Sequence, residues 1–75
     1  MDEYKENFRH VGIRIAYYRK LKGYTQEEFS EILDVAASYY SQIEAPGCHK
    51  PISLRTLFRI ADALDIEPYK LLLRD

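Results

Sequence analysis

Tyr24-Thr25-Gln26-Glu27-Glu28-Phe29-Ser30-Glu31-Ile32-Leu33-Asp34-Val35-Ala36-Ala37-Ser38-Tyr39-Tyr40-Ser41-Gln42-Ile43-Glu44 is the stretch on which the reading of this chain turns. It divides into two short amphipathic helices joined by a tight corner. Thr25 to Glu28 fits a capping box, in which the Thr25 hydroxyl accepts from the Glu28 amide while Glu28 reaches back. Phe29, Ile32 and Leu33 then recur at helical spacing and are expected to face inward. Asp34 marks the corner, where positive φ is common and Asp tolerates it moderately. The following helix spans 36–45. At 100° per residue it sets Tyr40 and Ile43 on one side and Ser38, Ser41, Gln42 and Ala45 roughly on the other. Ala37 and Tyr39 fall on the margins, and Glu44 lies near the buried side.

Outward from this pair the chain continues as helices. Val11, Ile15 and Tyr18, with Phe8 a turn earlier, define a first helix over 5–22. Gly23 ends it as a residue free to take positive φ. Pro46-Gly47 stops the third helix and a loop runs on through Cys48-His49-Lys50-Pro51. Ser53 is a good N-cap for a fourth helix whose Leu54, Leu57, Ile60, Ala61 and Leu64 form a buried stripe. Pro68 suits the first turn of a fifth, which ends in Leu71-Leu72-Leu73. The expectation is an all-α fold of five helices in one domain, 1–75, with no repeat, linker or strand.

Composition narrows the function. Seventy-five residues, 47% of them hydrophobic, can build one small core without disulfides or metal. Cys48 is the single cysteine, so no internal disulfide forms and a reducing cytoplasm is the expected setting. No apolar run reaches the length of a membrane span, and the polar start does not read as a signal peptide. The net charge of −1 argues against strong non-specific nucleic-acid binding. Its distribution is uneven. Lys5, Arg9, Arg14, Arg19, Lys20 and Lys22 precede the acidic group Glu27, Glu28, Glu31 and Asp34. That split can give one basic face or an ordinary mixed surface.

The free side of the third helix carries hydroxyls, an amide and methyls where a surface helix would usually carry Lys and Glu. Two short helices with the second propped outward make a helix-turn-helix, whose second helix lies in the DNA major groove. From Val11 to Leu72 the chain resembles the Cro/repressor-type (Xre-like) helix-turn-helix family. The matching residues are Gly12, Arg14, Ile15, Arg19, Gly23, Thr25 to Phe29, Val35, Ser38, Ser41 to Glu44, Pro51, and Leu54-x-x-Leu57-x-x-Ile60-Ala61-x-x-Leu64. Each piece alone is weak; their shared order and spacing are highly specific. The resemblance implies a lambda-repressor-like fold with the helix-turn-helix formed by helices 2 and 3.

By position, the resemblance implies DNA contact at the start of helix 2, Thr25 and Gln26, with Gln26 on a phosphate and bracing the recognition helix. The free N–H groups there also attract anions. Ala37, Ser38, Ser41 and Gln42 match positions facing base edges or nearby phosphates, and Gln42 can pair bidentately with adenine. His49 and Lys50 match basic loop positions near the backbone. Tyr39 can contact sugar-phosphate. Arg19 and Glu44 match a family ion pair, read here as scaffold. The chain departs from the family at Ala36, where a capping Ser or Thr is usual. Losing that cap costs about 1 kcal/mol. It departs also at Ala37, usually polar or basic, and at Asp34, usually Gly.

Tyr18, Tyr24 and Tyr40 match core positions with hydroxyls at the surface. Cys48-His49 lacks further ligands at usable spacing, so neither metal nor cofactor is expected. Nor is catalysis expected, since a Cys-His pair would need a pocket and an orienting third group. Phe58 and Tyr69 are candidate contacts of a weak homodimer. The implied function is sequence-specific double-stranded DNA binding by a transcriptional repressor. The rival reading is a protein-interaction module or antirepressor that keeps the fold without reading DNA, suggested by near-neutral charge, Ala36 and Ala37.

Overall fold

The computed structural model describes residues 3–47 and 50–74, which form four α-helices and one 3-10 turn. α1 spans Lys5–Leu21, α2 Gln26–Leu33, α3 Ala37–Glu44 and α4 Leu54–Ala63. Three of these helices end in the same way. At Gly23, Asp34 and Asp65 the backbone turns left-handed, with φ of +83°, +58° and +57°. The next amide then folds back on a carbonyl five residues earlier: Tyr24 to Arg19 (3.2 Å), Val35 to Ser30 (3.0 Å) and Ile66 to Ala61 (3.0 Å). This Schellman closure satisfies the last carbonyls and reverses the chain within two residues. Two of the three positions carry Asp, whose short polar side chain makes the left-handed region accessible.

The helix starts follow the sequence equally closely. Thr25 Oγ1 accepts from the Glu28 amide (3.0 Å), and the Thr25 amide donates to Glu28 Oε1 (2.8 Å). Ser53 Oγ accepts from the Thr56 amide (3.1 Å). Ala36 precedes α3 without any side-chain cap.

Ile15, Phe29, Tyr40, Ile60, Leu64 and Leu71 are the largest fully buried side chains. Tyr24 stacks on Phe29 with ring centroids 5.7 Å apart, and Phe29 meets Tyr40 edge-on at 5.4 Å. This aromatic ladder runs from the start of α2 into the middle of α3. An Arg59 N–H donates to the Leu33 carbonyl, so α4 closes the end of α2. Arg14 donates through Nε to the Lys70 carbonyl, tying α1 to the C-terminal segment.

Three expectations are corrected. The fifth helix is a single 3-10 turn, Pro68–Leu71, in which the Leu72 amide returns three residues to Tyr69 (3.0 Å). Only Leu71 of the leucine run is buried; Leu72 and Leu73 are exposed, so no long apolar stripe sustains an α-helix there. Ile32, expected inside, is 49% exposed. The buried edge of α2 is rotated onto Ser30, whose hydroxyl is satisfied by the Glu27 carbonyl at 2.8 Å. Leu54 is 66% exposed because it is the first residue of α4 and projects past the core that Leu57, Ile60, Ala61 and Leu64 fill.

Candidate nucleic-acid interface

The two ends of α3 are held very differently. At its C-terminal end Glu44 receives four donors. Arg19 grips it with two parallel bonds, Nε to Oε2 at 2.7 Å and an Nη to Oε1 at 3.0 Å. Gln26 Nε2 donates to Oε1 at 2.9 Å, and the Tyr40 hydroxyl donates to Oε2. The Arg19 and Glu44 side chains are only 8% and 4% exposed. Arg19 also donates to the Tyr24 carbonyl at 2.6 Å, which fixes the guanidinium to the α1–α2 junction. A buried charge pair is tolerable when further hydrogen bonds support it, and here the Tyr24 carbonyl, Gln26 and Tyr40 supply three.

The electrostatics follow from this geometry. The hydrogen bond to Glu44 holds Arg19 more firmly protonated than usual, outweighing the desolvation that works against the charge. Burial, and then the hydrogen bond to Glu44, push the Tyr40 phenol well above its ordinary range. Tyr40 is fully buried, so the surface hydroxyl expected from sequence is instead an interior donor. Tyr18 and Tyr24 are half-buried against the same core.

Gly12 completes the anchor. A Cβ there would collide with the Ile43 backbone carbonyl oxygen and lie 3.4 Å from its carbon. Only glycine lets α1 approach this closely. Backbone contact and the charged network therefore fix the same end of α3, next to each other.

The outer face of α3 has no such restraint. Ala37, Ser38 and Gln42 are exposed, and neither Ser38 Oγ nor the Gln42 amide has a hydrogen-bond partner among the described residues. Ser41 is half-buried and donates to the Ser38 carbonyl at 3.0 Å. Its proton is engaged, so Ser41 meets a ligand as an acceptor unless that bond opens. Ala45 is half-buried.

At the start of α2, Thr25 and Gln26 are exposed and lie on the same side as the locked end of α3, to which Gln26 is bonded. The Glu28 carboxylate already occupies the Thr25 amide. An approaching phosphate is left with the next amides and meets Glu27 nearby, so this helix end attracts anions less than its dipole alone suggests. The bracing role of Gln26 is direct, whereas sequence reasoning had no signal for its amide landing on Glu44.

Lys50 is half-buried beside α3, its Nζ 5.5 Å from the centre of the Tyr39 ring. His49, the other basic loop candidate, lies outside the described residues, as does Cys48. The basic group of α1 is partly consumed internally. Arg19 is bound to Glu44, Arg14 to Lys70, and Arg9 sits 3.6 Å from Glu6. Lys5, Lys20 and Lys22 remain exposed. Among the described residues no group of His, Cys, Asp and Glu could hold a metal ion, and no helix is long and apolar enough to cross a membrane.

An outward α3 locked at one end against α1 and α2 is the helix-turn-helix arrangement, and the helix-turn-helix family model matches residues 15–71. The chain belongs to this family, in agreement with the Cro/repressor-type resemblance of its sequence. Among characterised relatives, it is 40% identical over 62 residues to the HTH-type transcriptional regulator SinR of Bacillus subtilis (strain 168) and equally to SinR of Bacillus licheniformis. Each match covers 83% of this chain and 55% of the relative, so the chain spans about half their length. Among solved structures it resembles the restriction-modification controller protein C.AhdI from Aeromonas hydrophila. That likeness has a TM-score of 0.82 and 28% identity over 93% of this chain and 99% of that one. A hypothetical transcription factor, NHTF, from Neisseria is similar at TM-score 0.79 and 28% identity, covering 92% of this chain and 76% of its own.

Proposed function

We propose that the chain is a sequence-specific double-stranded DNA-binding transcriptional regulator, acting as a repressor in the cytoplasm, with α3 inserted in the major groove. The observation that carries this reading is the asymmetry of α3. Glu44 is immobilised by Arg19, Gln26 and Tyr40, while Ser38 and Gln42 face outward with no partner among the described residues. Fixing one end of a helix while leaving polar side chains unsatisfied on its outer face serves recognition, not core packing. The similar proteins, a transcriptional regulator and a restriction-modification controller protein, support the same class.

In this reading Gln42 pairs with adenine through its amide, Ser38 and Ser41 meet neighbouring base edges or phosphates, and the methyl of Ala37 touches thymine. Thr25, Gln26, His49 and Lys50 set the docking register on phosphates, which give affinity without sequence information. No residue in this scheme performs catalysis, and no cofactor is required. Phe58 and Tyr69, 52% and 57% exposed, are the contacts we assign to a weak homodimer. A symmetric pair would place two α3 helices about one DNA turn apart.

Selecting bound sites from random duplex fragments tests the proposal. The expected result is an enriched motif with two related half-sites. Affinity for that motif should fall with salt at a slope of ~0.9 per neutralised phosphate, with ~4 contacts per subunit. Gln42→Ala should lose ~1–3 kcal/mol of discrimination at one base pair. No enrichment together with salt-independent binding would remove the DNA reading and leave the interaction module.

A further inference from the structure

The sequence alone suggests a sugar-phosphate contact for Tyr39; the structure gives its ring a different neighbour. Tyr39 is the third residue of α3, half-buried and packed against the core, so its ring is held in place by the fold. Over that ring lies the ammonium of Lys50, 5.5 Å from the centroid. Lys50 comes from the loop after α3, and no carboxylate among the described residues pairs with it. A lysine on such a loop would normally sample many rotamers and lose that freedom when it binds. Here two constraints act on it. Pro51 follows immediately and restricts the Lys50 backbone to extended conformations. The aromatic face attracts the cation at a separation within the usual range for a cation–π contact.

We infer that Tyr39 is a positioning residue that holds the Lys50 ammonium in place beside the recognition helix, pre-orienting it for a DNA phosphate. This rests on the DNA-binding reading and adds to it a division of labour. Lys50 supplies the charge, and Tyr39 supplies the ordering through its ring, without itself pairing with a base or phosphate. The hydroxyl of Tyr39 takes no part, because the quadrupole that attracts the cation belongs to the ring. The contact also keeps the lysine close to α3 without quenching its charge. A carboxylate partner would neutralise the ammonium and compete with phosphate; a ring does neither.

The test has two arms. In the free protein, NMR of the full chain should show the Lys50 ε-methylene protons shifted upfield by the ring current of Tyr39. Tyr39→Leu should return them to ordinary lysine values, and Tyr39→Phe should keep the shift. Ordinary values in the wild type would overturn the inference whatever the chain binds. In the second arm, affinity for a mixed-sequence DNA duplex is measured across salt. Lys50→Gln should lower the log–log slope by about 0.9, the loss of one phosphate contact. Tyr39→Leu should weaken binding several-fold at low salt, Tyr39→Phe should bind as wild type, and Tyr39→Leu should add nothing once Lys50→Gln is present. Equal losses from Tyr39→Leu with and without Lys50 would show that Tyr39 acts elsewhere, and so overturn the inference. A wild-type chain that binds no duplex at any salt would overturn the DNA reading and this role with it, even with the ring-current shift intact.

Discussion

The C-terminal end of α3 carries one carboxylate with four donors and a glycine pressed against its backbone; the N-terminal end carries an uncapped alanine and open side chains. This contrast shows how an eight-residue helix, too short to be stable alone, is made rigid without being buried. The hydrogen-bonded and close backbone restraints are placed where α1 and α2 can reach them, while Tyr40 packs the middle of the helix on the core. The remaining end is free to enter a groove, and in helix-turn-helix proteins it is the N-terminal residues of the recognition helix that meet base edges.

Removing the anchor should have the largest effect. Glu44→Ala leaves the buried Arg19 guanidinium, the Gln26 amide and the Tyr40 hydroxyl without their common acceptor. It should cost ~3–5 kcal/mol, the usual penalty for breaking a buried charge pair. Urea unfolding checks this, and a midpoint equal to wild type would mean that the network contributes nothing to holding α3. Gly12→Ala attacks the same end through the backbone. The added methyl must displace the Ile43 carbonyl, and overpacking of this kind costs about 2 kcal/mol. DNA affinity should fall further than stability accounts for, because the anchored end of α3 is pushed away from α1. Comparing the two variants by thermal melts and binding separates loss of the charge network from loss of close packing.

Tyr40→Phe is the milder probe of the anchor. It deletes one hydrogen bond to a charged acceptor and should cost about 1.5 kcal/mol at neutral pH. It also changes the pH response. The Tyr40 phenol is raised above its unfolded range by burial and by Glu44, so folding favours the protonated form. That contribution is fully present below about pH 10, where the unfolded phenol titrates. It declines as pH rises above that value, since ionisation is then easier in the unfolded chain than in the folded one. Wild type should lose stability steeply above about pH 10, and Tyr40→Phe should decline less steeply over the same range. Parallel alkaline curves for the two proteins would contradict the buried assignment of the hydroxyl.

The open end can be altered in the opposite direction. Ala36→Ser supplies the missing cap and should add about 1 kcal/mol. If the N-terminal end of α3 is free as described, this gain appears in the melting temperature with little change in the enriched DNA motif. A large change in motif would mean that residue 36 lies closer to the bases than the geometry implies.

The punctuation of the chain was legible because it is local. Gly23, the Thr25–Glu28 box, Asp34 and Ser53 each act through atoms within about five residues of themselves, and the structure has each where the sequence implies. The Arg19–Glu44 pair was legible only through resemblance. Ile32 and Leu54 depart from the buried positions their spacing suggests, for related reasons. α2 has barely two turns, so a rotation of roughly 50°, half a residue's turn, exchanges Ile32 for Ser30, and periodicity in so short a window cannot choose between them. Leu54 fits the spacing of the α4 stripe, but spacing says nothing of where the core ends. Resemblance implied that Gln26 braces α3, but neither its bond to Glu44 nor that of Tyr40 was legible. Gln26 is 18 residues from Glu44, and whether an amide reaches a carboxylate at that separation depends on how two helices cross.

By itself the sequence determined four helix starts or stops, the corner at Asp34 and the amphipathic face of α3, because hydrogen bonds and φ preferences over a few residues settle such features. Only the tertiary structure decided that Glu44 would gather Arg19, Gln26 and Tyr40, that Gly12 would touch Ile43, and that Pro68 to Leu71 would close as a single 3-10 turn. Those outcomes depend on distances between segments far apart in the chain, which are set when the helices pack and are encoded in no short stretch of residues.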